Sequence, residues 1–110
     1  MEKPVKGDVV VVPFPFSDLS ASKKRPALVA ATLVGDDVIL CQITSEQRSD
    51  DYSIILSGND FMQGRLNVTS RIRPNRLFTA DKSIIVYRAG SLRKKKIAEV
   101  EQAIIKIVSQ

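Results

Sequence analysis

The sequence predicts a mainly β domain, a small, strongly bent antiparallel barrel or half-barrel carrying one C-terminal helix. Three observations point there. Short runs rich in valine and isoleucine recur from Val9 to Arg88, each bounded by glycine, proline, aspartate or serine. A 3.6-residue apolar period appears only near the C-terminal end. The 110 residues make a single domain, 1–110, able to bury about 65% of its unfolded surface in one core.

Taken in order, Gly7 opens a first strand whose run Val9-Val10-Val11-Val12 is apolar on both faces, the pattern of a strand buried on two sides. Pro13 lacks a ladder donor and is expected to end it. Phe14 and Phe16 then alternate around Pro15, either as a hydrophobic lip or as a stacking surface for a nucleobase. Residues 17–24 form a small polar loop of the kind that gates a site, and Arg25 follows it directly before Pro26. A residue before proline is pushed into extended geometry, so Arg25 is expected at the rigid mouth of the second strand, Ala27 to Leu33.

Val34-Gly35-Asp36-Asp37 reads as a hairpin turn, and Val38 to Thr44 returns antiparallel, which brings Thr44 back towards Arg25. After a charged loop, Ser53 to Leu56 is a short strand, and residues 57–64 suggest one helical turn or a wide loop with a serine start and a glycine stop. Arg65 to Phe78 is the most basic stretch, with Arg65, Arg71, Arg73 and Arg76. Arg71 and Arg73 share one strand face while Ile72 faces away. Without a nearby carboxylate they read as a phosphate-contacting stripe, or else as a charged, solvated edge. Ser83 to Arg88 is the last expected strand. Gly90-Ser91 then opens the helix with Ser91 as N-cap, Leu92, Ile97, Val100, Ile104, Ile107 and Val108 forming the buried stripe. Lys94, Lys95 and Lys96 fall in its first turn, where the macrodipole disfavours cations; they are surface lysines or neighbours of a bound anion.

Composition narrows the chemistry. Seventeen basic against twelve acidic residues give a net charge of +5, which favours an anionic partner. There is no histidine, which removes His-based acid–base chemistry, Ser-His-Asp and Cys-His nucleophile pairs, and nearly all zinc hydrolases. The single cysteine, Cys41, excludes an internal disulfide and a zinc cluster and reads as a core residue. No cofactor or metal is expected. The N-terminal apolar run, Val9 to Phe16, is too short and too proline-marked for a signal peptide or membrane span, so the expected location is cytoplasmic.

The stretch Gly7-Asp8 with its valine run, the later Arg25-Pro26-Ala27-Leu28-Val29, the step Gln42-Ile43-Thr44-Ser45, and Thr79-Ala80-Asp81 ahead of Gly90-Ser91-Leu92 together resemble the MazF/PemK toxins of bacterial type II toxin–antitoxin systems. The resemblance spans Gly7 to Leu92 and implies the SH3-like barrel of the CcdB/Kid/MazF group. It also implies a sequence-specific, metal-independent endoribonuclease cutting single-stranded mRNA, with Arg25 and Thr44 catalytic. Cleavage by RNA's own 2′-hydroxyl needs a proton acceptor, a proton donor and positive charge at the phosphorane. Arg25 can supply that charge and Thr44 can donate or relay a proton. Phe16, Ser17, Asp18, Lys23, Lys24, Ser45, Arg71, Arg73, Asn75 and Arg76 are the expected RNA-binding residues. The implied partners are a second copy of the chain in a homodimer, a cognate antitoxin with an acidic C-terminal segment, and operator DNA only through that antitoxin; no membrane is involved.

Two departures stand out. Some members use a histidine in the first loop and an Arg-x-Asp ahead of the Thr-x-Asp step, whereas this chain has no histidine and reads Arg73-Pro74-Asn75. An amide cannot take a proton, so the base falls to Asp18, Glu46, Thr44 or water. Two other functions fit the same fold: a module that holds RNA or an antitoxin without cleaving, and a CcdB-like gyrase poison, whose tryptophan-containing C-terminus this chain lacks.

Overall fold

A computed structural model describes residues 2–14, 23–47 and 50–110. Seven strands form one antiparallel sheet: β1 (Asp8–Phe14), β2 (Lys23–Thr32), β3 (Asp37–Thr44), β4 (Ile54–Leu56), β5 (Phe61–Gly64), β6 (Ser70–Asp81) and β7 (Tyr87–Leu92). The helix α1 (Lys94–Val108) follows. Across the sheet the order is β4-β6-β3-β2-β1-β7-β5, so β4 and β5, consecutive in sequence, occupy its two outer edges. Only the turn Gly58–Asp60 separates them, so the sheet must curl until its edges approach each other. The result is the expected half-barrel with one helix.

Lys96 fastens this seam. Its ammonium donates to the Ile55 carbonyl at 3.1 Å and lies 3.6 Å from Asp60 and 2.8 Å from Glu99. A lysine that occupies an edge-strand carbonyl also blocks pairing with foreign strands. This lysine is therefore a structural clamp.

The valine run of β1 is buried on both sides, as its pattern requires. Val9 joins a core under the helix with Leu28, Cys41, Ile43, Leu56, Phe61, Ile72, Leu92 and Val100. Val10 and Val12 join a second core on the other face with Ala27, Val29, Val38, Leu40 and Ile85. The Gly35 turn is also as expected, with φ +86° and a Leu33 N–H to Asp37 carbonyl bond of 3.0 Å.

Several boundaries differ from the sequence reading. β1 continues through Pro13, which pairs with Lys24, because β7 leaves β1 at Val11 and the proline needs no donor on that side. β2 consequently begins at Lys23, so Lys23, Lys24 and Arg25 lie inside the ladder and Arg25, opposite Val12, is not at a strand mouth. Residues 57–64 are neither wholly helical nor a loop: one 3₁₀ turn, Gly58–Asp60, capped by the Asp60 carboxylate on the Ser57 N–H (2.9 Å), leads into β5.

The expected last strand at Ser83 to Arg88 is displaced towards the C-terminus. Asp81 accepts the Ser83 N–H at 2.8 Å and starts a 3₁₀ turn at Lys82–Ile84, and β7 then runs through Gly90, Ser91 and Leu92. Ser91 pairs with Asp8 and is not an N-cap; the helix begins at Lys94 after Arg93. Gly90 serves strand contact here, since a Cβ on it would lie 2.4 Å from the Gln63 carbonyl where β5 crosses. Val100, Ile97 and Ile104 form the packed stripe of α1, whereas Val108 is 72% exposed. Glu101 is half-buried, at the rim of the stripe, and pairs with Lys6. Among the described residues no helix is long and apolar enough to cross a membrane.

Candidate functional site

Ile43 and Ile72 point into the core under the helix, so strand alternation turns Thr44, Arg71 and Arg73 to the opposite face. Thr44 on β3 pairs directly with Arg71 on β6. Just beyond, the ladder breaks: Cys41 pairs with Leu77 and Ile43 with Ile72, so Gln42 alone stands against residues 73–76. This bulge contains Pro74, which has no N–H to give the ladder, and a bulge re-aims the side chains it carries. The thiol of Cys41 donates to the Arg73 carbonyl at 3.1 Å, satisfying a group that the broken ladder leaves over. Burial pushes that thiol up to about 12, so it is an inert donor near neutral pH.

Thr44, Glu46, Asp50, Ser53, Arg71 and Arg73 line a cleft of about 80 Å³. Arg71 Nη1 donates to Ser53 Oγ at 3.3 Å, and Arg73 Nη2 lies 3.6 Å from Asp50 Oδ2. The Nε–H groups of both arginines are buried and lack an acceptor among the described residues. A buried donor left unpaired costs about 1–3 kcal/mol, and an anion reaching it relieves that cost. Thr44 Oγ1 accepts the Glu46 N–H at 3.2 Å. One lone pair is thereby engaged while the hydroxyl proton stays free to be donated.

Asp50 corrects the expectation that the Arg71/Arg73 stripe has no carboxylate nearby. Its Oδ1 accepts the N–H groups of Tyr52 (2.8 Å) and Ser53 (2.6 Å). These bonds, with a smaller contribution from the Arg73 charge, hold its carboxyl below the usual range. An aspartate bonding the backbone two residues on is a recognisable turn signal in Asp50-Asp51-Tyr52-Ser53, but nothing local joins it to Arg73.

The other expected site residues are more dispersed. β2 pairs Ala27 with Gln42, and that register continued by two residues sets Arg25 level with Thr44, in one row with Arg71. The Arg25 side chain is exposed and does not line the cleft. Lys23 and Lys24 are exposed beside it, Ser45 is exposed just past Thr44, and Asn75 and Arg76 are exposed on the bulge. Phe14 and Phe78 meet with ring centroids 6.1 Å apart and extend the same face with an aromatic surface. Phe16, Ser17 and Asp18 lie outside the described residues. Among the described residues no cluster of three or more His, Cys, Asp or Glu side chains could hold a metal ion.

The fold is shared with solved structures at low sequence identity. MazF from Deinococcus radiodurans superposes with a TM-score of 0.77 at 19% identity, with both chains covered in full. The toxin MazF-mt6 of Mycobacterium tuberculosis gives 0.72 at 16% identity over 93% of this chain and 96% of its own. A mycobacterial endoribonuclease in complex with its cognate antitoxin gives 0.76 at 14% identity over 96% and 95%. No curated relative matches the chain by sequence. Residues 5–108 match the family described as the PemK-like, MazF-like toxins of type II toxin–antitoxin systems. That match takes in nearly the whole chain, from the start of β1 to the end of α1, and the protein belongs to this toxin family.

Proposed function

We propose that this toxin is an endoribonuclease that cuts single-stranded RNA at specific sequences without a metal ion, using Arg25 and Thr44. The observation that carries the reading is the pairing of Thr44 with Arg71 at a cleft that Arg73 also lines, with the Ala27–Gln42 register of β2 on β3 running towards Arg25. RNA's phosphate oxygens pair with the half-buried guanidinium groups of Arg71 and Arg73, and its unpaired bases stack on the aromatic surface at Phe14 and Phe78. Attack of the 2′-oxygen on the adjacent phosphorus forms a cyclic phosphate and releases the 5′-oxygen, which must gain a proton. Arg25 stabilises the charge on the phosphorane. Thr44 supplies or relays the proton, since its bond from the Glu46 N–H leaves the hydroxyl proton available. Asp50 has its carboxyl held below the usual range and its Oδ1 engaged by two backbone N–H groups, so Glu46 is the carboxylate of the cleft fitted to take the 2′ proton.

The partners follow from the same surface. An acidic antitoxin segment neutralises the basic row and excludes RNA, as suits a fold whose mycobacterial relative is a complex with its cognate antitoxin. Two copies form a homodimer that works in the cytoplasm, and operator DNA is reached only through the antitoxin. Sedimentation should give twice the chain mass, and an acidic peptide should compete with RNA. The deciding experiment is incubation of the purified protein with a long single-stranded RNA, with and without a chelator. Discrete fragments in both arms support the reading. Binding without fragments identifies a non-cleaving module, and fragments lost with chelator overturn metal independence.

A further inference from the structure

Arg73 is held at both ends by residues that no role so far explains. Its carbonyl accepts a hydrogen bond from the Cys41 thiol at 3.1 Å inside the bulge. Its guanidinium lies beside Asp50 with Nη2 3.6 Å from Oδ2, an ion pair in place of the two parallel hydrogen bonds that a carboxylate can offer an arginine. The reason is visible in Asp50 itself. Oδ1 is taken by the N–H groups of Tyr52 and Ser53, so the carboxylate is locked to its own turn with one oxygen left over. The side chain therefore presents a fixed negative point to one corner of the guanidinium. The Nε–H, on the same edge as Nη2, is buried and lacks an acceptor among the described residues, and the edge that carries Nη1 is turned away from Asp50.

We propose that Asp50 is a positioning residue. From the loop between β3 and β4 it holds the Arg73 guanidinium by one corner, so that the remaining edge meets a phosphate oxygen in the cleft lined by Thr44 and Arg71. The proposal rests on the endoribonuclease reading above. Asp50 supplies Arg73 with the carboxylate that Asn75, exposed on the same bulge, cannot provide. A guanidinium so held loses little freedom when the phosphate arrives, whereas an untethered arginine must be ordered in the transition state.

Asp50→Asn tests this, because the amide oxygen still accepts the Tyr52 and Ser53 N–H groups while the atom facing Arg73 becomes an uncharged NH2 that cannot accept from the guanidinium. In single-turnover cleavage the variant should be slower by about 10- to 100-fold. Its affinity for an uncleavable 2′-deoxy oligonucleotide should be unchanged or tighter, because a negative charge has left a basic cleft. Solvent exchange of the Arg73 Nε–H, followed by nitrogen-15 NMR, should accelerate in the free variant. A slower rate with retained affinity and a loosened Arg73 has no counterpart in general damage to the fold, which lowers rate, affinity and melting temperature together. That joint loss overturns the proposal, as does parental cleavage with parental exchange. Faster cleavage overturns it too, since Asp50 would then be a competitor for Arg73. If the parent protein does not cut RNA, the endoribonuclease reading fails separately. Arg73 exchange and oligonucleotide affinity then judge Asp50: faster exchange with affinity kept supports positioning, and unchanged exchange refutes it.

Discussion

Replacing Arg25 by alanine should separate catalysis from folding. The side chain is exposed on β2 and makes no hydrogen bond or ion pair among the described residues. Its backbone stays in the ladder opposite Val12 and next to Pro26. Removal leaves no cavity and no stranded partner, so the stability cost is that of an exposed strand substitution, about 0.5 kcal/mol. In a domain of this size that moves the melting temperature by roughly 2–4 °C. The catalytic loss is of another order: withdrawing one preorganised charge from a developing oxyanion costs on the order of 3 kcal/mol, a rate fall of at least ~100-fold. Thr44→Val supplies the second arm. The valine keeps the side-chain shape and deletes only the hydroxyl, whose partner, the exposed Glu46 N–H, can turn to water. Its rate should fall while RNA affinity stays near the parent's, which assigns Thr44 to the chemical step. The assays are single-turnover cleavage, binding of an uncleavable oligonucleotide, and thermal melting. An Arg25→Ala protein that cuts at the parental rate, or that unfolds, refutes the reasoning.

Cys41 should resist thiol-alkylating reagents at neutral pH until the protein is unfolded, because burial raises its pKa to about 12; rapid labelling of the native protein would contradict this. Gly90→Ala should lower stability by about 3 kcal/mol, because the new methyl would lie 2.4 Å from the Gln63 carbonyl and 3.1 Å from Gly64 Cα; a melting temperature within a degree of the parent's would show that β5 and β7 can part cheaply. Asp81 has its pKa lowered by the Ser83 N–H, so its contribution is complete above the ordinary carboxylate value near 3.9 and is lost as pH falls through the lower folded value. Melting curves recorded from pH 5 down to pH 2 should therefore fall less steeply for Asp81→Asn than for the parent, and identical slopes would remove Asp81 from the acid transition.

Much of the fold was legible in the chain because the signals were local. The double burial of Val9 to Val12, the turn at Gly35, the opposite faces of Ile72 and its arginine neighbours, and the stripe of Ile97, Val100 and Ile104 follow from periods and turn residues within a few positions. The family motifs were equally local, and they marked Arg25 and Thr44 on strands that prove to be neighbours. The misplaced boundaries have the opposite character. Pro13 stays in β1, Arg25 sits inside a ladder, and Gly90-Ser91 belongs to β7, each because of a partner strand distant in sequence. The site shows the same division. Its hydroxyl and arginines were marked by strand pattern and motif. The carboxylate at Arg73, the thiol that holds its carbonyl and the lysine that closes the seam were not, since each acts only after β6 has paired with β3 and the sheet has curled. A sequence carries the period of each element directly, but the register between distant elements is settled by burial of both cores together, and the contacts that aim Arg73 exist only in that register.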